Sequence, residues 1–260
     1  MLKTFLSAVG AYKFYRRWLW HQVKNSVKPE HIAIILDGNR RWASERALDP
    51  WFGHEKGAEK VEQLLDWCLK LEVKSITLYA FSMENFARSE DEVEKIMQIA
   101  QTEFREILGN KRIHENRVHV KVIGRLNSLP SDLRQLITEV ENSTRDYDKH
   151  FLNIALAYGG RAEIVDAAKK IALKVYDGEL RPEKIDEPLF EQYLYTSHMP
   201  KQDPDLIIRT SGEERLSGFL LWQSAYSELC FLDVFWPDFR FIDFLRAVRT
   251  FQRRKRRFGQ

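Results

Sequence analysis

The chain is 260 residues long, 44% hydrophobic and 30% charged, with a formal net charge of +3. That composition excludes intrinsic disorder and describes a folded globular protein. The net charge hides a division. Residues 1–28 carry six Lys and Arg and no acid, and residues 253–257 read Arg-Arg-Lys-Arg-Arg; the body between them holds all 38 acids against 30 Lys and Arg, a net −8. An acidic body excludes a broad nucleic-acid face, which needs cations clustered across the docking surface, whereas basic ends suit local contact with anionic lipid or phosphate. Cys68 and Cys230 are the only cysteines. This excludes a disulfide framework and a cysteine-based zinc site, and suits a reducing, cytoplasmic compartment. No apolar run approaches the ~20 residues of a membrane-spanning helix. The N-terminal apolar stretch, interrupted by Lys13, Arg16 and Arg17, does not read as a secretory leader.

Residues 1–28 read as an amphipathic helical extension. Phe5, Val9, Tyr12, Leu19 and Val23 fall at helical spacing, with Phe14, Trp18 and Trp20 beside them and six cations around. This is the make-up of an interfacial helix at a membrane surface, the favoured reading; the alternative is a helix packed on the body or on a partner subunit. His31–Leu36 is an apolar run that predicts a buried strand, ended by Asp37-Gly38-Asn39. Residues 54–71 predict a helix with Val61, Leu64, Leu65, Cys68 and Leu69 on one face. Ser75–Phe81 is the second strand. Ser89 with Glu92 three residues on predicts a capping box, opening a helix whose apolar face is Val93, Ile96, Met97, Ala100, Phe104, Ile107 and Leu108. Arg117–Ile123 is a strand, and a helix follows Pro130. Phe151–Ala157 is a strand turned by Gly159-Gly160 into a helix reaching about Tyr176. A short helix spans 186–195, strands follow at Asp205–Arg209 and Glu228–Leu232, and a last helix starts near Phe241. Strands alternating with helices predict an α/β fold: one central, largely parallel six-stranded sheet with helices on both faces, in a single domain over residues 29–252.

Ligands of such sheets bind beyond the carboxyl ends of the strands. Four polar clusters fall there: Asp37–Trp42, Ser82–Arg88, Tyr158–Arg161 and Arg209–Ser217. In Asp37-Gly-Asn-Arg-Arg-Trp42, glycine lets backbone amides approach an anion and the two arginines add guanidinium donors. The aspartate makes chemical sense there as a ligand of Mg²⁺, which bridges carboxylate and phosphate oxygens. Taken alone, the segment reads equally well as an Asx turn with two solvated arginines. Arg209-Thr-Ser-Gly212 with Arg215-Leu-Ser217 gathers guanidinium and hydroxyl donors suited to a diphosphate. Arg209 ends a buried run, which favours function over a plain surface loop. No nucleoside-triphosphate loop or dinucleotide fingerprint is present, and no activated nucleophile stands out, which argues against a covalent intermediate.

The blocks HIAIILDGNRRWA, LYAFSMENFARS, LNIALAYGGRAEI and DLIIRTSGEERLSGFLLWQSAYSELCFLDVFWPDF, with the terminal RRFG, resemble the cis-prenyltransferases, the family of undecaprenyl and dehydrodolichyl diphosphate synthases. They come in the family's order from His31 to Gly259, and the DGNRR form resembles the archaeal and eukaryotic branch. The resemblance implies the undecaprenyl diphosphate synthase-like fold with an apolar product tunnel. It also implies an Mg²⁺-dependent alkyl transferase that extends an allylic diphosphate primer, such as farnesyl or geranylgeranyl diphosphate, with isopentenyl diphosphate units. The product is a long-chain polyprenyl diphosphate, destined for a glycan-carrier lipid of the dolichol kind. It makes Asp37 the catalytic, metal-binding residue, with Glu228 as a second metal ligand, and gives Ser82 and Asn85 a part in positioning and proton removal. Gly38, Asn39, Arg40, Arg41, Trp42, His54, Phe86 and Arg88 belong to the allylic diphosphate site. Arg209, Arg215 and Ser217 belong to the isopentenyl diphosphate site, completed by Gly259 of a partner subunit through the basic tail 253–260 and its R-x-G motif.

Trp42, Phe81 and Phe86 are aromatic candidates for shielding the cationic carbon, and core packing explains each as well. Ile96, Met97, Phe104 and Leu108, on the helix at 90–108, are expected tunnel-wall residues with the strands at 76–81 and 151–157. One departure stands out: many relatives carry an arginine four residues before the histidine of the Gly-His pair, where this chain has Pro50. That bears on primer identity, with Arg41 or Arg46 as possible substitutes. Because the catalytic residues and the R-x-G motif share one chain, the resemblance implies a homodimer active on its own. The rival reading is a non-catalytic partner subunit of such a synthase.

Overall fold

The computed structural model describes residues 10–254. Six strands form one sheet: β1 (His31–Ile35), β2 (Ser75–Ser82), β3 (Val118–Ile123), β4 (His150–Tyr158), β5 (Leu206–Arg209) and β6 (Glu228–Phe231). Their order is β3-β4-β2-β1-β5-β6, and every neighbouring pair is parallel. The sheet is thus wholly parallel, where the sequence predicts a largely parallel one. β1 is buried along its whole length, as a central strand covered on both faces must be.

The pleat divides two cores. Ile32 and Ile34 of β1 face a large core with Leu78 and Phe81 of β2, while Ala33 and Ile35 face a smaller one with Tyr79, Tyr158 and Phe219. The large core is closed by α3 (Pro50–Lys70), α4 (Glu90–Gly109), α6 (Ser131–Ser143), α9 (Phe241–Arg253) and α1 (Ala11–Lys24) through residues such as Leu64, Phe104, Leu133, Phe244 and Leu19. α2 (Asn39–Ser44) and α5 (Lys111–Glu115) are short. α7 (Gly160–Tyr176) sits over the smaller core, where its Glu163 accepts from the Tyr158 hydroxyl, the Tyr195 amide and Gln223.

Two boundaries and one cap differ from the sequence reading. α3 begins at Pro50, not near 54: proline suits the first turn of a helix, where its missing N–H removes no intrahelical bond. The short helix α8 covers only Glu187–Glu191. The expected capping box at Ser89 does not form; Ser89 makes no side-chain cap bond, and Glu92 turns inward instead. A capping box does form one element earlier, where Ser82 and Asn85 cap the short 3₁₀ turn Met83–Ala87.

The N-terminal helix is docked, not free. Leu19 and Val23 are fully buried, Trp20 packs on Phe241, and Gln252 of α9 donates to the carbonyls of Val23 and Val27. Residues 1–9 and the Arg257-Phe258-Gly259 motif lie outside the described residues.

Candidate active site

The carboxyl ends of the strands open into a cleft of about 1340 Å³. The sharp exit from β1 depends on Gly38, whose φ of +103° is a glycine conformation. A Cβ there would lie 2.7 Å from the Phe235 ring. α2 then runs tightly against α3, where Gly53 and Gly57 let the helix approach Asn39. The Asn39 amide nitrogen donates to the Leu36 carbonyl, while its buried Oδ1 has no hydrogen-bond partner among the described residues.

Asp37 is held from both sides. Arg209 donates to Oδ2 from Nε (3.2 Å) and a terminal nitrogen (2.7 Å), and Arg41 approaches Oδ1 at 3.3 Å. Thr210 locks the backbone, accepting from the Asp37 amide (3.1 Å) and donating to its carbonyl (2.7 Å). Burial works to raise the Asp37 carboxyl. Hydrogen bonds from Arg209 and Ser211, with the charges of Arg209 and Arg41, outweigh it and hold the group below the usual carboxylate range. Arg209 is itself buried, and its remaining terminal nitrogen bonds Ser217 Oγ at 2.8 Å and the Arg215 carbonyl. Arg41 spans the two loops, donating to Ser211 Oγ (2.6 Å) and to Glu213 (3.3 Å).

A second cationic group lines the same cleft. Arg88, His54 and Arg40 come from three different elements and meet the buried carboxylate of Glu92. Burial, then the Arg88 charge, depress the His54 ring to about 4 against the opposing pull of Glu92. The ring is therefore neutral at pH 7, and its contact with Glu92 is not an ion pair. Ser82 and Asn85 line the same cleft, with the Ser82 amide donating to Asn85 Oδ1 at 3.0 Å. Arg125 and Arg161 complete the lining, so that six arginines face two carboxylates, Asp37 and Glu84. Such a surface suits highly charged anions.

Asp37, Gly38, Asn39, Arg40, Arg41, His54, Ser82, Asn85, Arg88, Arg209 and Ser217 all line this one cleft, and Pro50 lines it too. Four expected residues do not. Trp42 lies under Arg46, whose guanidinium sits 4.3 Å from its ring. Phe86 packs edge-on against Phe81 and lines a separate groove with Met97. The Arg215 side chain points outward and pairs with Glu213. Glu228 is at the wrong end of the sheet. It pairs in register with Leu206 and so lies level with Ile32, five residues below Asp37, or about 16 Å at ~3.3 Å per residue. There it bonds Arg254 at 2.6 Å, so one chain does not bring Glu228 and Asp37 to one ion. Arg125 and Glu92 were missed as site residues. Arg125 follows the Gly124 that ends β3, and that strand-end position was its one available signal.

Below the cleft lies a narrower apolar cavity of about 160 Å³. It shares Leu36, Asn39, His54 and Ala80 with the cleft, and it is walled by Leu78, Ile154 and Leu156 of the sheet, Val61 and Leu65 of α3, and Ile96, Ile99 and Phe104 of α4. Met97 and Leu108, expected on this wall, do not line it. Glu62, Glu103 and Glu106 stand among the lining residues on the two helices, farther from the cleft than His54 and Ile96.

Among the described residues no three His, Cys, Asp or Glu side chains gather as a metal site. Mg²⁺ does not need such a cage: it is held by one or two carboxylates with substrate phosphates and water. Asp37, a quarter exposed at the cleft wall, fits that donor set.

Residues 35–259 match the family model described as putative undecaprenyl diphosphate synthase. The tritrans,polycis-undecaprenyl-diphosphate synthase (geranylgeranyl-diphosphate specific) of Pyrococcus abyssi is 54% identical over 250 residues, 96% of this chain and 94% of that one. The enzyme of the same name from Methanocaldococcus jannaschii is 51% identical over 256 residues, 98% and 91% of the two chains. Among solved structures, lavandulyl diphosphate synthase from Lavandula x intermedia, in complex with dimethylallyl diphosphate, superposes with a TM-score of 0.85 at 37% identity, covering 90% of this chain and 99% of that one. A probable undecaprenyl diphosphate synthase from Campylobacter jejuni gives 0.72 at 31% identity, covering 90% and 100%. With its parallel sheet, its arginine-lined cleft and the apolar cavity beneath, the chain belongs to the undecaprenyl diphosphate synthase family, and it is a cis-prenyltransferase that makes long-chain polyprenyl diphosphates.

Proposed function

We propose that the cleft binds two diphosphates side by side, an allylic primer over Arg40, Arg88 and His54 and isopentenyl diphosphate over Arg209 and Ser217, with Asp37 between them. The observation that carries this reading is the pairing of an arginine-lined polar cleft with an apolar cavity opening from its floor. A diphosphate carrying a growing hydrocarbon tail needs both. In the reaction the primer's carbon–oxygen bond breaks, its allylic carbon bonds the terminal alkene carbon of isopentenyl diphosphate, and a proton leaves the adjacent carbon as the new double bond forms. The departing diphosphate gains charge, which the guanidinium groups stabilise. Mg²⁺, when bound with Asp37, supplies further charge neutralisation of the leaving diphosphate. Ser82 and Asn85 carry no group that is basic at neutral pH. They position the homoallylic carbon and relay the proton, and the released diphosphate is the base at hand. The aromatic ring of Phe81, which lines the cleft, shields the cationic carbon from water.

The primer is geranylgeranyl diphosphate, as the names of the archaeal relatives suggest for those proteins. Pro50 on the cleft wall replaces a cation of the primer site, and Arg88 with Arg40 carries the primer diphosphate in its place. The enzyme acts as a homodimer, with the basic tail and Gly259 completing a neighbour's isopentenyl diphosphate site. Its α1 meets anionic membrane surface through exposed Phe14 and Trp18 among Lys13, Arg17 and Arg249.

Asp37→Ala tests the reading: turnover of isopentenyl diphosphate falls by ~10²–10³ or more, the cost of losing one group aimed at transition-state charge. Circular dichroism stays that of the parent. Near-normal turnover in a folded variant would sink the assignment.

A further inference from the structure

One buried acid is absorbed neither by the core nor by the chemistry. Glu92 is 5% exposed, lies behind the cleft wall rather than on it, and is surrounded by groups from three other elements. Arg88 donates to its Oε1 at 3.0 Å, the His54 Nε2 stands 3.4 Å from the same oxygen, and the Arg40 Nε lies at 3.5 Å. All three partners line the cleft. Arg88 and Arg40 repel one another, and the His54 ring meets the Arg88 terminal nitrogen at 3.4 Å. A single carboxylate oxygen therefore holds two like charges and a neutral imidazole in one fan. A hydrogen bond to a charged partner contributes about 1.5–3 kcal/mol in general, and a buried guanidinium deprived of its carboxylate splays toward water.

We infer that Glu92 is a positioning residue of the allylic diphosphate subsite: it aims Arg40, His54 and Arg88 together at the primer's diphosphate without touching it. The inference rests on the reading that this wall takes the primer. It explains why a glutamate placed where a helix cap was expected is turned inward. It also explains how the wall grips a diphosphate with Pro50 in place of an arginine: the two remaining cations are held in fixed register.

The test compares Glu92→Gln, Glu92→Asp and Arg88→Ala with the parent, measuring KM for geranylgeranyl diphosphate, KM for isopentenyl diphosphate, kcat and melting temperature. Glu92→Gln keeps the shape and loses the charge. Its primer KM is expected to rise about 10- to 100-fold, the range of one charge-assisted hydrogen bond, while the isopentenyl diphosphate KM stays within about twofold. Inorganic pyrophosphate, competing with primer, weakens by a similar factor. Glu92→Asp keeps the charge and recovers part of the loss. A primer KM unchanged in Glu92→Gln overturns the inference, as does an equal rise in both KM values alongside a lowered melting temperature, which marks a merely structural residue. Arg88→Ala separates the two levels. If it leaves primer KM unchanged, the assignment of this wall to the primer fails; if it raises primer KM and Glu92→Gln does not, only the role of Glu92 fails.

Discussion

Asp37 and Arg209 come from strands that lie side by side, with Ile35 in register with Arg209, so the chain turn at Gly38 sets the geometry of both. Gly38→Ala puts a methyl group against Phe235 in a backbone conformation unfavourable to any side chain. It is expected to cost about 1–3 kcal/mol of stability, read as a lowered melting temperature, with turnover falling because Asp37 moves. The pH dependence of the Asp37 pair has a definite sign. Its folded-state carboxyl is depressed, so the stabilisation is complete above the ordinary aspartate range and is lost as pH falls through the lower, folded value. Asp37→Asn removes that acid-side loss, seen in thermal melts between pH 3 and 5, while leaving Arg209 buried without its anion and lowering the melting temperature at pH 7. The Asp37 and Arg209 clusters were legible in the sequence because each follows a short apolar run and a glycine punctuates the turn. Trp42, expected in the site, lies off the cleft for a physical reason. Neighbouring helix residues point about 100° apart, and motif position alone does not say which of them meets the ligand.

α3 and α4 enclose the apolar cavity together, and their inner faces differ in kind along their length. Near the cleft the lining is Val61, Ile96 and Ala100; farther on it includes Glu62, Glu103 and Glu106. Burial, then the charges of Glu106, Glu62 and Glu59, raise Glu103 to about 7. A raised carboxylate binds its proton more tightly in the folded state, so stability falls as pH climbs from the ordinary glutamate range to about 7. Glu103→Gln narrows the gap between melting temperatures at pH 5 and pH 8; an unchanged gap contradicts the shift. The cavity is about the size of one that holds a single benzene, so a polyprenyl tail must part the two helices to occupy it. Ala100→Phe fills it at mid-length and is expected to shift products to shorter chains by mass spectrometry, and an unaltered product distribution would show that the tail goes elsewhere. The helix pattern at 90–108 was legible, but the split of its apolar residues was not. Ile96 and Phe104 face the cavity while Met97 faces a groove beside Leu129, because the helix is covered by layers on two sides and periodicity does not label them.

At the scale of the whole molecule, the charge division that opens the sequence resolves into placement. The acidic body places six arginines in the cleft at the strand ends, and Lys13, Arg16, Arg17 and Lys24 ride on α1, which packs on α9 and its N-cap Arg240 through a row of aromatic and arginine contacts: Arg240 over Tyr12, Arg246 over Tyr15 and Arg249 over Trp18. Of the readings of α1, the structure bears on packing against the body. One face packs on the body, and Phe14 and Trp18 stay exposed. Phe14→Ser with Trp18→Ser is expected to lower binding to phosphatidylserine vesicles several-fold in co-sedimentation without altering turnover on detergent-dispersed substrates. The six strands and their largely parallel pairing were legible, since parallel strands read as continuous apolar runs. The placement of Glu228 was not, because which end of a short strand carries a given residue depends on register with its neighbours. Copies of this one chain, with no other subunit, are expected to carry out the whole condensation. Purified protein incubated with geranylgeranyl diphosphate, isopentenyl diphosphate and Mg²⁺, its lipid extract resolved by mass spectrometry, tests that most directly. The expected result is a ladder of polyprenyl diphosphates spaced by one isoprene unit, absent with Asp37→Ala. Binding of both substrates with no extended product would contradict it.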